Sequence, residues 1–184
     1  GAGATVSVTA QGDLSDLNLS DVDTLTLTGD ATLPNSTGDM PGAINAANNV
    51  VTVATSADLS GVTLSNLGGN LSISDNQALT LSADQAHGFA GNVTKGAGAT
   101  ISVTAQGDLS DLNLSDVDTL TLSAAATLSD ETSEQPTAIN AATFAITADN
   151  TMSLVNVTIS NYGSLSISAS EALTLSADQA HGFA

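Results

Sequence analysis

Short runs in which an aliphatic residue alternates with serine or threonine recur along the chain: Val6-Ser7-Val8-Thr9, Leu25-Thr26-Leu27, Val51-Thr52-Val53, Leu71-Ser72-Ile73 and Leu79-Thr80-Leu81. Alternation with a period of two sends successive side chains to opposite faces of a strand, and β-branched residues fit that pleated surface. The pattern therefore predicts half-buried strands with Leu, Val and Ile inward and Ser and Thr outward. Most of the runs start roughly twenty residues apart, as at 6, 25, 51 and 71.

The connecting segments repeat too. Asp13-Leu14-Ser15 with Leu19-Ser20 precedes one strand, and Asp58-Leu59-Ser60 with Leu64-Ser65 precedes another. A second Leu-Ser pair after the first predicts another short inward-facing segment in each coil, which is how a coil closes on itself. Ser82-Ala83-Asp84-Gln85-Ala86-His87-Gly88-Phe89 reads as a helical turn, with Ser82 and Gln85 forming a capping box and Gly88 stopping the helix in a left-handed conformation. Ser176, Gln179, Gly182 and Phe183 repeat that reading. Short helices opened by proline are also predicted at Pro41–Ala47 and Pro136–Ala142.

A longer period encloses these rhythms. Residues 1–27 recur at 96–122 with one change, Val6 for Ile101, and ALTLSADQAHGFA at 78–90 recurs at 172–184. The sequence thus divides into copy 1 (1–95) and copy 2 (96–184), with one residue lost near Gly163. Because the opening Gly1-Ala2-Gly3-Ala4-Thr5 returns at 96–100, the chain is expected to be a fragment of a longer tandem array. Two all-β architectures fit. A β-solenoid of the parallel β-helix kind, with coils of about 20 residues and short helical turns, explains the inner rhythm. Tandem immunoglobulin-like β-sandwiches explain the outer period, since such domains run about 100 residues. The solenoid is preferred, because the chain has no Trp, one Tyr and three Phe, and a sandwich core normally holds more aromatic bulk.

Composition narrows the function. The hydrophobic fraction of 41% and mean hydropathy of +0.19 suffice for a packed core, so disorder is not the reading. Nineteen carboxylates face a single cation, Lys95, for a net charge of −18. That balance argues against nucleic acid and anionic membranes as partners, since phosphate binding depends on Lys and Arg. A self-repelling chain suits a medium rich in salt and divalent cations, so an extracellular or cell-surface location is expected. There is no cysteine to form disulfides, and no run of about 18 apolar residues to cross a membrane.

The best candidates for chemistry are the aspartates Asp13, Asp16, Asp21 and Asp23, repeated as Asp108, Asp111, Asp116 and Asp118. Calcium takes six to eight oxygen ligands, which closely spaced Asp side chains and loop carbonyls can supply. The competing reading is that they are turn residues bonded to their own backbone; neither an EF-hand loop nor a GGxGxD nonapeptide is present. His87 and His181 occupy equivalent positions and read as structural residues near helix ends. No G-x-S-x-G elbow is present, and the chain lacks the cations that hold acidic sugars and the aromatics that stack on neutral ones. An enzyme is therefore not expected. Thr24-x-Thr26-x-Thr28 resembles the TxT ladders of ice-binding solenoids, which makes a ligand-binding face for ice or glycan the alternative function.

The runs DLSDLNLSDVDTLTL and ALTLSADQA resemble the repetitive regions of very large bacterial surface proteins, namely secreted adhesins, biofilm-matrix proteins and surface-layer proteins. The resemblance implies a structural repeat outside the cell, a rigid spacer or assembly element whose partners are neighbouring copies of itself, with calcium or other divalent cations as possible ligands.

Overall fold

The structure is a computed structural model that describes residues 4–184. Gly1–Gly3, which open the first Gly-Ala-Gly-Ala-Thr, lie outside the described residues. The chain folds as a parallel β-solenoid with coils of about 20 residues. Two compact units are present: the residues up to Leu81 with Gly91–Thr100, and Ser82–Ala90 with Ile101–Ala184. These units interleave across the boundary between the sequence copies instead of breaking at 95/96. The helical turn that ends copy 1 belongs to the second unit, and the opening of copy 2 belongs to the first.

In the first unit the strands are β1 (Ser7–Asp13), β2 (Thr24–Thr32), β3 (Ala43–Asn45), β4 (Val51–Val53), β5 (Ala57–Asp58), β6 (Thr63–Ser65), β7 (Leu71–Ile73), β8 (Ala78–Leu81) and β9 (Val93–Lys95). They form three parallel ladders. In the first, Ser7 pairs with Thr24, Thr24 with Ala43 and Ala43 with Thr63, in steps of 17, 19 and 20 residues. The second runs from the ends of β1 and β2 through β4 and β7 to β9, with Ala31 opposite Val51, Val51 opposite Leu71 and Leu71 opposite Val93. The third joins β5 to β8. A coil that returns to the same place after about 20 residues stacks each inward aliphatic on its counterpart one strand spacing away, about 4.8 Å. Val8, Leu25, Ile44 and Leu64 make one such column.

The second unit holds α1 (Ala83–Phe89), β10, which enters it from Thr100 and spans Thr100–Asp108, β11 (Thr119–Thr127), β12 (Ala138–Asn140), β13 (Ile146–Ala148), β14 (Met152–Ser153), β15 (Thr158–Ser160), β16 (Leu165–Ile167), β17 (Leu173–Thr174) and α2 (Ala177–Gly182). Its ladders repeat the arrangement. Val103, Leu120, Ile139 and Ile159 form the first inward column, and Ala126, Ile146 and Leu165 the second. Narrow columns of this kind take Leu, Ile, Val and Ala and leave no room for indole or phenol rings, which accounts for the scarcity of aromatics. Each buried Leu or Ile contributes about 1.5–3 kcal/mol. Among the described residues the ladder registers of both units are parallel, so the antiparallel immunoglobulin-like sandwich is set aside.

The corners use residues with positive φ, among them Asn48, Asn66 and Asn76 in the first unit and Thr143, Asn161 and Ser170 in the second. Asparagine tolerates that region because its side chain bonds locally. Here the amides also stack between coils: Asn66 Nδ2 donates to Asn45 Oδ1 at 2.8 Å, and Asn161 Nδ2 donates to Asn140 Oδ1 at 2.9 Å. Gly69 and Gly163 meet a tighter constraint, because a methyl group at either would run into the backbone carbonyl of the coil beside it, at Asn49 or Phe144.

The two capped helices form where expected. Ser82 and Ser176 accept from the backbone N–H of Gln85 and Gln179, whose side chains return the bond. The expected glycine stop does not occur: α1 runs through Gly88 to Phe89, and Gly182 is the last residue of α2, neither with positive φ. The proline-opened helices at 41–47 and 136–142 are absent. Those segments hold β3 and β12, and single 3-10 turns precede the prolines at Thr37–Asp39 and Thr132–Glu134. Ladder pairing with the coils on either side overrides the local preference for a helical turn.

Candidate functional site

The candidate aspartates lie along the turns that follow β1 and β10, and the fold gives several of them a local task. Asp13 Oδ1 accepts from Ser15 N at 3.0 Å. Asp108 Oδ1 accepts from Ser110 N at 3.1 Å and from its hydroxyl at 2.7 Å. Asp58 does the same for Ser60, and Asn18 and Asn113 for Ser20 and Ser115. An Asp or Asn followed two residues later by Ser is thus a recurrent side-chain turn, and it is what the repeated Asp-Leu-Ser encodes. Bonds from the Ser15 and Ser110 hydroxyls, then from their backbone N–H groups, hold Asp13 and Asp108 below the ordinary carboxylate range. Asp23 and Asp118 have a different task. Their Oδ2 atoms accept from Val6 N and Ile101 N, both at 2.6 Å, and so tie together the starts of successive coils.

Asp16, Asp21 and Asp111 are exposed, and Asp116 is half-buried. Among the described residues no three carboxylate or imidazole groups converge closely enough to hold a metal ion. The eight aspartates are therefore distributed along two turns, and a cation binding at Asp13, Asp23, Asp108 or Asp118 would compete with the N–H groups these residues already serve.

One carboxylate grouping escaped the sequence reading. Asp149 is held above the ordinary range by loss of surrounding water, by the charge of Asp130 and a hydrogen bond with it, and by the charge of Asp108. One oxygen of Asp130 is buried without a hydrogen-bond partner. The signal was present in the spacing: 130 and 149 are 19 residues apart, one coil, which places the two side chains in neighbouring turns. Copy 1 has Asn35 and Ala54 at the corresponding positions, and the hydroxyl of the neighbouring Thr55 donates to Asn35 Oδ1 at 2.8 Å.

Other polar groups also serve the scaffold. His87 Nδ1 accepts from Asn113 N at 2.9 Å. Gln179, buried, donates through Nε2 to the carbonyls of Leu154 and Val157, both at 2.7 Å. The outward Ser and Thr form columns, Ser7-Thr24-Ala43-Thr63 and Thr9-Thr26-Asn45-Ser65 in the first unit. Ala43 and Asn45 interrupt the hydroxyl rows, and Asn45 Oδ1 is already engaged by Ala47 N and Asn66. A surface depression of about 420 Å³ near Met40, Pro41 and Val62 carries one carboxylate, Asp58, the residue that closes the turn onto Ser60.

Compared with known proteins, the chain matches no family model, no curated protein and no solved structure.

Proposed function

We propose that this chain is an extracellular structural repeat of a microbial surface adhesin, filament or surface layer, in which it acts as a rigid spacer or assembly element. The observation that carries the reading is how the polar groups are used. Asp13, Asp58 and Asp108 close turns, Asp23 and Asp118 tie coil starts, asparagines stack at corners, and buried Gln179 clamps carbonyls, so these polar side chains serve the repeat itself. Two tandem copies, near-identical over their first 27 residues and drifted between their ends, then rebuild the same coils, as a length-setting element requires. The acidic exterior fits a medium in which salt and divalent ions screen it.

The alternative, an ice- or glycan-binding face, rests on the Ser and Thr columns. Their interruption at Ala43 and Asn45 favours the spacer. Antibodies raised against the chain and applied to intact cells of the source organism test the proposal: labelling of the outer surface supports it, and labelling confined to permeabilised cells overturns it. Thermal hysteresis or selective retention on a glycan array would favour the alternative.

A further inference from the structure

The turn that follows β1, and its counterpart after β10, each carry an asparagine that the scaffold uses by half. Asn18 and Asn113 stand at the same place in the two copies, each followed by a leucine and a serine. Leu19 and Leu114 are buried and donate through their backbone N–H groups to Asp39 O and Glu134 O at 2.8 Å, so both turns are pinned to the coil beside them. Asn18 is exposed and Asn113 half-exposed. The Ser20 and Ser115 hydroxyls donate to Asn18 Oδ1 and Asn113 Oδ1 at 2.7 Å, and the serine backbone N–H groups donate to the same oxygens at 3.0 Å.

The turn needs only the oxygen. Asp58 and Asp108 close the same turn onto Ser60 and Ser110 with the same two bonds, so a carboxylate would do this work equally well. The amide nitrogen is therefore what sets Asn18 and Asn113 apart. Elsewhere the fold does use that atom: Nδ2 of Asn49, Asn66 and Asn161 donates to a carbonyl or amide oxygen, and none of those three has Ser or Thr two residues on.

Asn-x-Ser, with x other than proline, is the acceptor sequence for N-linked sugar on a surface loop of an exported chain. We propose that Asn18 and Asn113 are N-glycosylation sites. In the transfer, Nδ2 bonds to the anomeric carbon of a sugar activated as a phosphate ester. The carbon–oxygen bond to phosphate breaks, phosphate leaves with the electron pair, and one amide proton passes to the transferase's base. As the nitrogen gives up that proton, negative charge collects on Oδ1, the atom on which the serine hydroxyl and N–H already converge. Four more Asn-x-Ser/Thr sequences begin at Asn35, Asn70, Asn92 and Asn156, and among the described residues none has this arrangement. Asn35 Oδ1 is taken by Thr55. Asn70 and Asn92 lead straight into β7 and β9, where an extended backbone keeps residues i and i+2 roughly 6.5 Å apart. The inference rests on the exported location proposed above and adds to it a covalent partner, carbohydrate.

Mass spectrometry of the chain isolated from its source organism tests it. Cleavage after Met40, Lys95 and Met152 separates Asn18 from Asn113, whose immediate surroundings in the sequence are identical. The fragments holding Asn18 and Asn113 should be heavier by whole sugars located on those residues, and an amidase that removes N-linked glycan should return both as aspartate. Asn150, exposed but followed two residues on by Met152, should stay bare. Ser20→Thr should keep the sugar on Asn18. Ser20→Ala should lose it while Asn113 keeps its own, which shows that the variant still folds and is still exported. Either asparagine left bare in the unsubstituted chain overturns the proposal, as does sugar retained on Asn18 in Ser20→Ala, or equal sugar on Asn150. Surface labelling separates the two failures: a bare chain on the outer surface overturns this inference alone, and a bare chain confined within cells overturns the location as well.

Discussion

Ile73 and Ile167 are the same residue in the same tripeptide, yet truncating them should have unequal consequences. Ile73 is 1% exposed, with the next coil laid over it, whereas Ile167 is 47% exposed. Ile→Ala removes three carbons, worth about 0.8 kcal/mol each when fully buried, or about 2.4 kcal/mol. The cavity left behind adds to this, which places Ile73→Ala at about 2–5 kcal/mol. At Ile167 roughly half of that transfer term applies and no closed cavity forms, so about 1 kcal/mol or less is expected. Urea denaturation followed by circular dichroism, with hydrogen exchange to localise the loss, reads both at protein concentrations low enough to keep the chain monomeric. Independent domains, each folded from one copy around the same Leu-Ser-Ile strand, would place the two isoleucines in like environments. Equal destabilisation by the two substitutions would therefore refute the stacking argument.

Other expectations follow from the carboxylates and the close approaches. Asp149 has a raised proton affinity in the folded state, so the folded chain holds a proton that the unfolded chain has released, and stability falls as pH rises above the ordinary Asp value through the raised one. Asp149→Asn should flatten that part of the stability profile and raise the Tm at neutral pH; an unchanged profile in thermal melts would contradict the raised proton affinity of Asp149. Gly163→Ala pushes a methyl into the Phe144 carbonyl and should cost about 1–3 kcal/mol in urea titrations, while Gly61→Ala, with open space around it, should stay within about 0.5 kcal/mol. With a net charge of −18, the Tm should climb as salt is added from low ionic strength; a chelator at matched ionic strength then separates screening from coordination, and a flat response to salt would refute self-repulsion.

The ladders were legible because alternation and coil length are both written in the one-dimensional pattern. Val51-Thr52-Val53 and Leu71-Ser72-Ile73 announce a strand, and their separation announces the coil. The β3 segment Ala-Ile-Asn was not legible, since three residues behind a proline carry too little pattern to outweigh a helix-start signal, and its conformation is set by pairing with β2 and β6. Gly88 misled for a related reason: a glycine near a helix end is a common stop, but here the chain continues helically until Phe89 is buried. The turn role of Asp13 and Asp108 was visible in Asp-x-Ser, whereas the Asp130–Asp149 pair requires two residues in different coils to be aligned. That alignment follows once the coil length is known.

Register between coils is the point on which the rest turns, and a chain without cysteine offers a clean way to measure it. Thr52 and Ser72 are direct partners in neighbouring parallel strands, whereas Thr52 and Thr94 stand two coils apart. A disulfide requires Cα atoms about 4.4–6.8 Å apart, a distance that adjacent strands satisfy and strands twice as far apart do not. Under mild oxidation at low protein concentration, Thr52→Cys/Ser72→Cys should close almost completely into an intramolecular disulfide and Thr52→Cys/Thr94→Cys should stay reduced. Failure of the first pair to close, or equal closure of both, would contradict the stacked parallel coil.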